Sequence, residues 1–279
     1  MKKLTAMLSA IAIALSLTAC GGTAAPAPSP SEKEPSPAPA EILVFAAASM
    51  QESLDEAIAL YGEQAPEVTV TATYDSSGTL LKQIQEGAPC DLFISAAPKQ
   101  MDALDGAQTG DAAGESLVVP GSRRDLLENK VVLAVREAGP EVPESFDQLA
   151  ERLADGQILL AIGNSDVPVG QYTQKIFAYY GIDEASIADK LTYGSNVKEV
   201  TTQVAEGTVD CGIIYATDAF SAGLTAVDQA SADMCGQVIY PAAVLRCGHQ
   251  QEAAQAFLDF LSGDGASACF EAVGFTPLG

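Results

Sequence analysis

The sequence predicts an α/β protein with two lobes, each a mostly parallel sheet with helices on both faces. Three observations carry this reading. Apolar, β-branched runs alternate with helix-period segments along residues 41–279. The alternation starts once at Ile42 and again near Phe146. Two similar strands, Asp91-Leu92-Phe93-Ile94-Ser95 and Asp210-Cys211-Gly212-Ile213-Ile214-Tyr215, fall one in each round. Repeated strand–helix units close into parallel sheets, and about 239 residues in two rounds favour two lobes over one sheet.

Ile42-Leu43-Val44-Phe45-Ala46-Ala47 is a near-continuous apolar run, the pattern of a strand buried on both faces. Residues 50–62 predict a helix with Leu54, Ile58 and Tyr61 on one face, and 68–74 a β-branched strand. A short helix over 79–86 is stopped by Gly87 and Pro89. A strand at 91–95, a helix at 98–104 and a strand at 131–135 follow. The second round reads as helix 146–154, strand 158–162, helix 169–180 stopped by Gly181, helix 197–206 stopped by Gly207, and strand 211–215. A strand over 238–245 is interrupted by Pro241. Residues 250–270 carry one or two helices, with Phe257, Phe260 and Leu261 on the apolar face, expected to return to the first lobe. The expected division is 41–128 plus 238–279 for lobe 1 and 129–237 for lobe 2.

The N-terminus reads as a targeting segment. Lys2 and Lys3 precede an apolar stretch that ends in Leu17-Thr18-Ala19-Cys20. Residues 1–19 are expected to be a signal peptide, and Leu-x-Ala-Cys resembles a bacterial lipobox with Cys20 as the lipidated residue. The apolar stretch is shorter than the ~20 residues of a membrane span. Residues 20–40, with prolines at 26, 28, 30, 35, 37 and 39, cannot bury a core and are expected to be an extended tether. The expected location is the cell membrane, lipid-anchored on its extracytoplasmic face.

Charge narrows the function. The formal net charge is −23, and loss of residues 1–19 removes two lysines and no acid, leaving −25. Such a chain repels phosphate backbones, so nucleic acid is not an expected partner. The chain has no Trp and a single histidine, His249, which excludes a multi-His metal centre. No G-x-S-x-G, P-loop or H-E-x-x-H occurs, so no enzyme activity is expected; a hydrolase using Ser49 or Ser77 is the weaker alternative. With Cys20 lipidated, Cys90, Cys211, Cys235, Cys247 and Cys269 remain, with no C-x-x-C among them. Cys90 and Cys211 read as buried hydrophobes, and Cys235 and Cys247, flanking a strand, as a pair that could join.

Four strand-to-helix junctions carry the chemistry. Ala46-Ala47-Ala48-Ser49-Met50-Gln51-Glu52 has the spacing of a capping box from Ser49 to Glu52. Asp75-Ser76-Ser77-Gly78-Thr79 combines hydroxyls with a glycine that lets backbone approach closely. Asn164-Ser165-Asp166-Val167-Pro168-Val169-Gly170 places proline in a first helical turn. Gly194-Ser195-Asn196-Val197-Lys198-Glu199 repeats a cap-like spacing. Helix N-termini expose unpaired N–H groups and partial positive charge, an anion site without a formal cation. Asp75, Asp166 and Asp218 read as turn and cap residues, Lys82 as a contributor to local potential, and His249 as a surface residue before a helix.

These junctions, with Asp91-Leu92-Phe93-Ile94-Ser95-Ala96, Gly212-Ile213-Ile214-Tyr215, Tyr240-Pro241-Ala242 and Gly274-Phe275 in order, resemble the extracytoplasmic molybdate-binding proteins of ABC importers over roughly 41–279. The resemblance implies two Rossmann-like lobes joined by a hinge, the type II periplasmic-binding-protein architecture. It implies molybdate or tungstate held between the lobes as an intact oxyanion, with no cofactor, and an ABC importer permease as partner. Carried over by position, Ser49 and Ser77 donate hydroxyl and amide, Val169 and Val197 donate backbone N–H, and Tyr215 donates its phenol. Val169 stands where a smaller residue is common, and Gly78 where serine is frequent. An all-donor pocket leaves the proton of a hydrogen phosphate unpaired, and sulfate must be told apart by size. Sulfate, phosphate or a ferric complex is the alternative ligand.

Cys20→Ala is expected to abolish lipidation and move the protein from membrane to soluble fractions. Persistent membrane association of the variant on fractionation would refute the lipobox reading.

Overall fold

The computed structural model describes residues 39–106 and 116–279. The expected signal peptide, Cys20 and all but the last two residues of the tether lie outside the described residues. The first sheet grows from β1 (Ala40–Ala47), which pairs in parallel with β2 (Val68–Asp75) on one side and β3 (Leu92–Ile94) on the other. β4 (Arg124–Asn129), β10 (Val238–Val244) and β11 (Thr276–Pro277) extend it antiparallel, in the order β11-β4-β10-β3-β1-β2. The second sheet centres on β6 (Leu160–Gly163), parallel to β7 (Leu191–Gly194) and β8 (Cys211–Tyr215). β5 (Val131–Val135) lies antiparallel between β8 and β9 (Thr225–Gln229), giving the order β7-β6-β8-β5-β9.

Both sheets are therefore mixed, where mostly parallel sheets were expected. The reason is how the chain passes between them. Lys130 alone separates β4 from β5, so a strand of one sheet feeds directly into the other without a helical crossover. The return runs from β9 to β10, and of these passing strands β5 and β10 oppose the parallel ones. Pro241 marks the register shift in β10 against β4, where its missing N–H breaks the ladder.

The helices α1 (Gln51–Gln64), α2 (Ser77–Gln85) and α3 (Pro98–Asp102) follow the strands of the first sheet. α4 (Phe146–Ala154), α5 (Pro168–Tyr180), α6 (Val197–Glu206), α7 (Ala216–Ser221) and α8 (Ala232–Cys235) accompany the second. Gly181 and Gly207 end α5 and α6 in left-handed conformation, as expected of C-terminal glycines. α9 (Gln251–Leu261) and α10 (Asp264–Val273) return to the first sheet: Phe257 and Phe260 meet Tyr61 of α1 at ring distances of 4.9 and 5.0 Å. No helix among the described residues is long and apolar enough to cross a membrane.

Cys235 and Cys247 are not joined. The Cys235 thiol faces the carbonyls of Ser231 and Gly236, the Cys247 thiol faces that of Cys90, and all five described cysteines are free. The aspartates that open the two similar strands have matching roles. Asp91 Oδ2 accepts the Leu43 N–H at 2.8 Å and its Oδ1 the Gln250 N–H at 2.7 Å, tying β1, β3 and the start of α9. Asp210 Oδ2 accepts the Leu159 N–H at 2.7 Å beside β6.

Asp91→Ala leaves two backbone donors unpaired at about 1–3 kcal/mol each, which for a folded unit of this size lowers the melting temperature by roughly 5–15 °C. Calorimetry of the ligand-free variant checks this; an unchanged melt would remove Asp91 from the fold's main ties.

Candidate functional site

The four junctions converge on one cavity, and Ser49, Ser77, Val169, Val197 and Tyr215 all line it. It is narrow, with space for little more than a single water molecule.

At the first junction β1 runs into a 3-10 turn, Ala48–Met50, that leads into α1. The expected capping box does not form. Met50 occupies the N-cap position without a side-chain bond, the Ser49 hydroxyl meets the Tyr240 hydroxyl at 2.8 Å, and Glu52 pairs with Lys198 Nζ at 2.7 Å. The 3-10 turn and two tertiary partners override the local spacing. At the second junction Ser76 is the N-cap, its Oγ accepting the Thr79 N–H at 3.1 Å. Ser77, buried at the first helical position, accepts the Ala96 N–H on Oγ at 2.9 Å. One lone pair of that hydroxyl is thereby occupied, and its own proton is left to be donated.

The third junction places Pro168 in the first turn of α5 and buries Val169 completely. At the fourth, a reciprocal cap does form: Asn196 Oδ1 accepts the Glu199 N–H at 3.1 Å and Glu199 Oε2 accepts the Ser195 N–H at 2.5 Å. This leaves Val197, nearly buried, as the first residue of α6. Tyr215 ends β8 with its ring against Tyr172 and Tyr240. Its hydroxyl is buried and has no hydrogen-bond partner. Burial pushes the Tyr215 and Tyr240 phenols well above their usual range, so both stay protonated.

The two sheets meet closely around this cavity. A Cβ on Gly78 of α2 would stand 2.1 Å from the backbone oxygen of Asp166, ahead of α5. Only glycine permits that approach, which explains why serine is absent here. Lys82 pairs with Asp166 at 2.6 Å across the same boundary, but both side chains are about 60% exposed and the pair is weakly stabilising. Asp75, which also lines the cavity, holds its Oδ1 against the Ser76 N–H and Asn196 Nδ2.

Two residues depart from their expected roles, while His249 keeps its own. Lys82 is an ion-pair partner of Asp166. Asp218 is no cap: it is buried in the first turn of α7, its carboxyl pushed up to about 6 by burial, with Lys198 Nζ at 3.3 Å opposing that shift. Lys198, which joins Glu52 to Asp218, went unread because nothing local marks partners so distant in sequence. His249 is exposed ahead of α9 and is absent from the cavity lining.

The lining combines helix N-termini, the hydroxyls of Ser49, Ser76 and Ser77, a phenol and the Asp75 carboxylate, with no cationic side chain. Such a set can hold a small anion that only accepts hydrogen bonds. Among the described residues no cluster of His, Cys, Asp and Glu could hold a metal ion.

Residues 42–276 match the family described as bacterial extracellular solute-binding protein. The chain is 33% identical over 237 residues to YvgL of Bacillus subtilis (strain 168), named for a provisional role as an ABC transporter substrate-binding lipoprotein, covering 84% of this chain and 86% of that one. It is 32% identical over 240 residues to the molybdate-binding protein ModA of Escherichia coli (strain K12), covering 85% and 89%. Among solved structures, the periplasmic molybdate-binding protein of Azotobacter vinelandii superposes with a TM-score of 0.71 at 22% identity over 84% of this chain and 98% of that one. The sulfate-binding protein SubI of Mycobacterium tuberculosis H37Rv gives 0.67 at 17%, over 86% and 87%. These likenesses define the type II periplasmic-binding-protein architecture, a class that holds solutes rather than transforming them. The chain belongs to the bacterial extracellular solute-binding protein family.

Gly78→Ala puts a methyl group against the Asp166 carbonyl and is expected to hold the two sheets apart. Small-angle scattering of the variant in its best-bound anion should report a larger radius of gyration than wild type. Equal radii and equal affinity would show that this contact does not limit closure.

Proposed function

We propose that this protein binds molybdate, and tungstate by the same geometry, on the extracytoplasmic side of the membrane and delivers it to an ABC importer permease. The observation that carries the reading is the buried Tyr215 hydroxyl, unpartnered in a cavity it shares with Ser49, Ser77, Val169 and Val197. An unpaired buried donor costs about 1–3 kcal/mol, a cost that an oxyanion in the cavity removes. Ser49, Ser77 and Tyr215 donate hydroxyl protons, and Val169 and Val197 donate main-chain N–H groups. The molybdate-binding relatives support the choice of ligand.

The two sheets are the lobes in this reading, 41–128 plus 238–279 and 129–237, and the passages at Lys130 and between β9 and β10 are the hinge. Lipidation at Cys20 and the proline-rich tether keep the lobes within reach of the permease. Selectivity follows from the donors. Hydrogen phosphate carries a proton that needs an acceptor; in the lining the Ser77 oxygen already receives the Ala96 N–H, and Asp75 Oδ1 already receives the Ser76 N–H and Asn196 Nδ2. Sulfate carries no such proton and is the rival ligand, to be separated by size.

Isothermal titration with molybdate, tungstate, sulfate and phosphate tests the reading. Molybdate and tungstate should bind far more tightly than the other two; equal affinity for sulfate would overturn the selectivity. Val197→Pro tests the main-chain donor. Asn196 is already extended (φ −152°, ψ 171°), which a following proline tolerates, so the variant should fold. Its dissociation constant should rise about tenfold or more, the effect of losing one hydrogen bond to a charged group.

A further inference from the structure

We infer that Tyr240 and Asn129 are positioning residues for the anion site: they fix the Ser49 hydroxyl as a donor into the cavity. This rests on the proposed oxyanion function. The chain of bonds can be followed from its one unambiguous end. The Lys130 backbone N–H can only donate, and it donates to Asn129 Oδ1 at 2.8 Å. That settles the amide's orientation, so Nδ2 faces the other way. Its two protons go to Thr217 Oγ1 at 3.0 Å and Tyr240 Oη at 3.3 Å.

Tyr240 is completely buried, and its oxygen now accepts from Asn129. Its single proton needs an acceptor. The Tyr215 hydroxyl lies near enough to Tyr240 to raise its own proton affinity but outside hydrogen-bonding geometry, whereas Ser49 Oγ stands at 2.8 Å. Ser49 therefore accepts from Tyr240 and retains its own proton. Among the described residues its hydroxyl has no other hydrogen-bonding partner, and Ser49 lines the cavity. With an oxyanion present the protons of Asn129, Tyr240 and Ser49 all have acceptors. The opposite sense, with Ser49 donating to Tyr240, strands a buried phenol proton and takes the serine's proton away from the anion.

The relay also crosses the boundary between the sheets. Asn129 ends β4, Thr217 belongs to α7 beside the second sheet, and Tyr240 belongs to β10 of the first. The serine that meets the anion is thus oriented by the same amide that spans the strand passage at Lys130.

Because Tyr240 acts through Ser49, the two should fail as a unit. The test is molybdate titration of wild type, Ser49→Ala, Tyr240→Phe and the double variant, with ligand-free melts for each. The Phe ring preserves the packing of Tyr240 against Tyr215 and Phe275. Tyr240→Phe should raise the molybdate dissociation constant about tenfold. The double variant should be within about twofold of Ser49→Ala alone. Ser77→Ala, which removes a separate donor on another element, should multiply with Tyr240→Phe. If Tyr240→Phe does not fold, Asn129→Ala replaces it in the same cycle, with the same non-additivity expected. Multiplying factors for Ser49 and Tyr240, or no effect of Tyr240→Phe, overturn the inference while leaving molybdate binding intact. A wild-type protein that binds no tetrahedral oxyanion overturns the proposed function, and this inference with it.

Discussion

A buried hydroxyl without an acceptor sets the terms for the rest of this molecule. Folding normally pairs or solvates every such donor. Here the ends of β1, β2, β6 and β7 and of β8 bring several donors to one place and supply no acceptor for Tyr215. The surrounding elements keep that arrangement from relaxing. Ala96 occupies the oxygen of Ser77, Tyr240 holds Ser49, and the Asn196–Glu199 cap holds the turn before Val197. In the proposed function, the site is a set of donors held in position, with the acceptor to come from outside.

The overall charge and the local field point in opposite directions without contradiction. A chain at −23 is hostile to anions at long range, but that repulsion is screened over about 8–10 Å in physiological salt. Dehydrated N–H groups act at contact distance, where screening has no room. The nearby carboxylates differ in how they are held. Asp75 is held by a main-chain N–H and Asn196, and Asp218 is buried beside Lys198 with its proton affinity raised.

Much of this was legible in the sequence because it was local. The helices at 146–154 and 197–206 and the strands at 131–135 and 211–215 match their expected bounds, each having strong periodicity and a clear stop. Other elements carried no such signal. β4, Arg-Asp-Leu-Leu-Glu-Asn, is too polar to read as a strand and exists because β10 and β11 flank it. β9 is an edge strand of mostly exposed residues. The five cavity residues were found through junction chemistry and resemblance, whereas Tyr240 and Asn129, separated by 111 residues, meet only through the sheet. The Ser49–Glu52 spacing misled for the same reason: partners distant in sequence outcompeted a local cap.

The way the chain enters and leaves the second sheet orders its assembly in time. Every strand of that sheet lies between Val131 and Gln229, an uninterrupted stretch, whereas the first sheet needs β10 and β11 from the far end of the chain. A polypeptide made from its N-terminus can complete the second sheet while the first still lacks the strand between β3 and β4. Those two early strands then wait, with open edges, for more than a hundred residues of synthesis. The half of the molecule that begins first is the half that finishes last, and the relay through Tyr240 closes only at that final step.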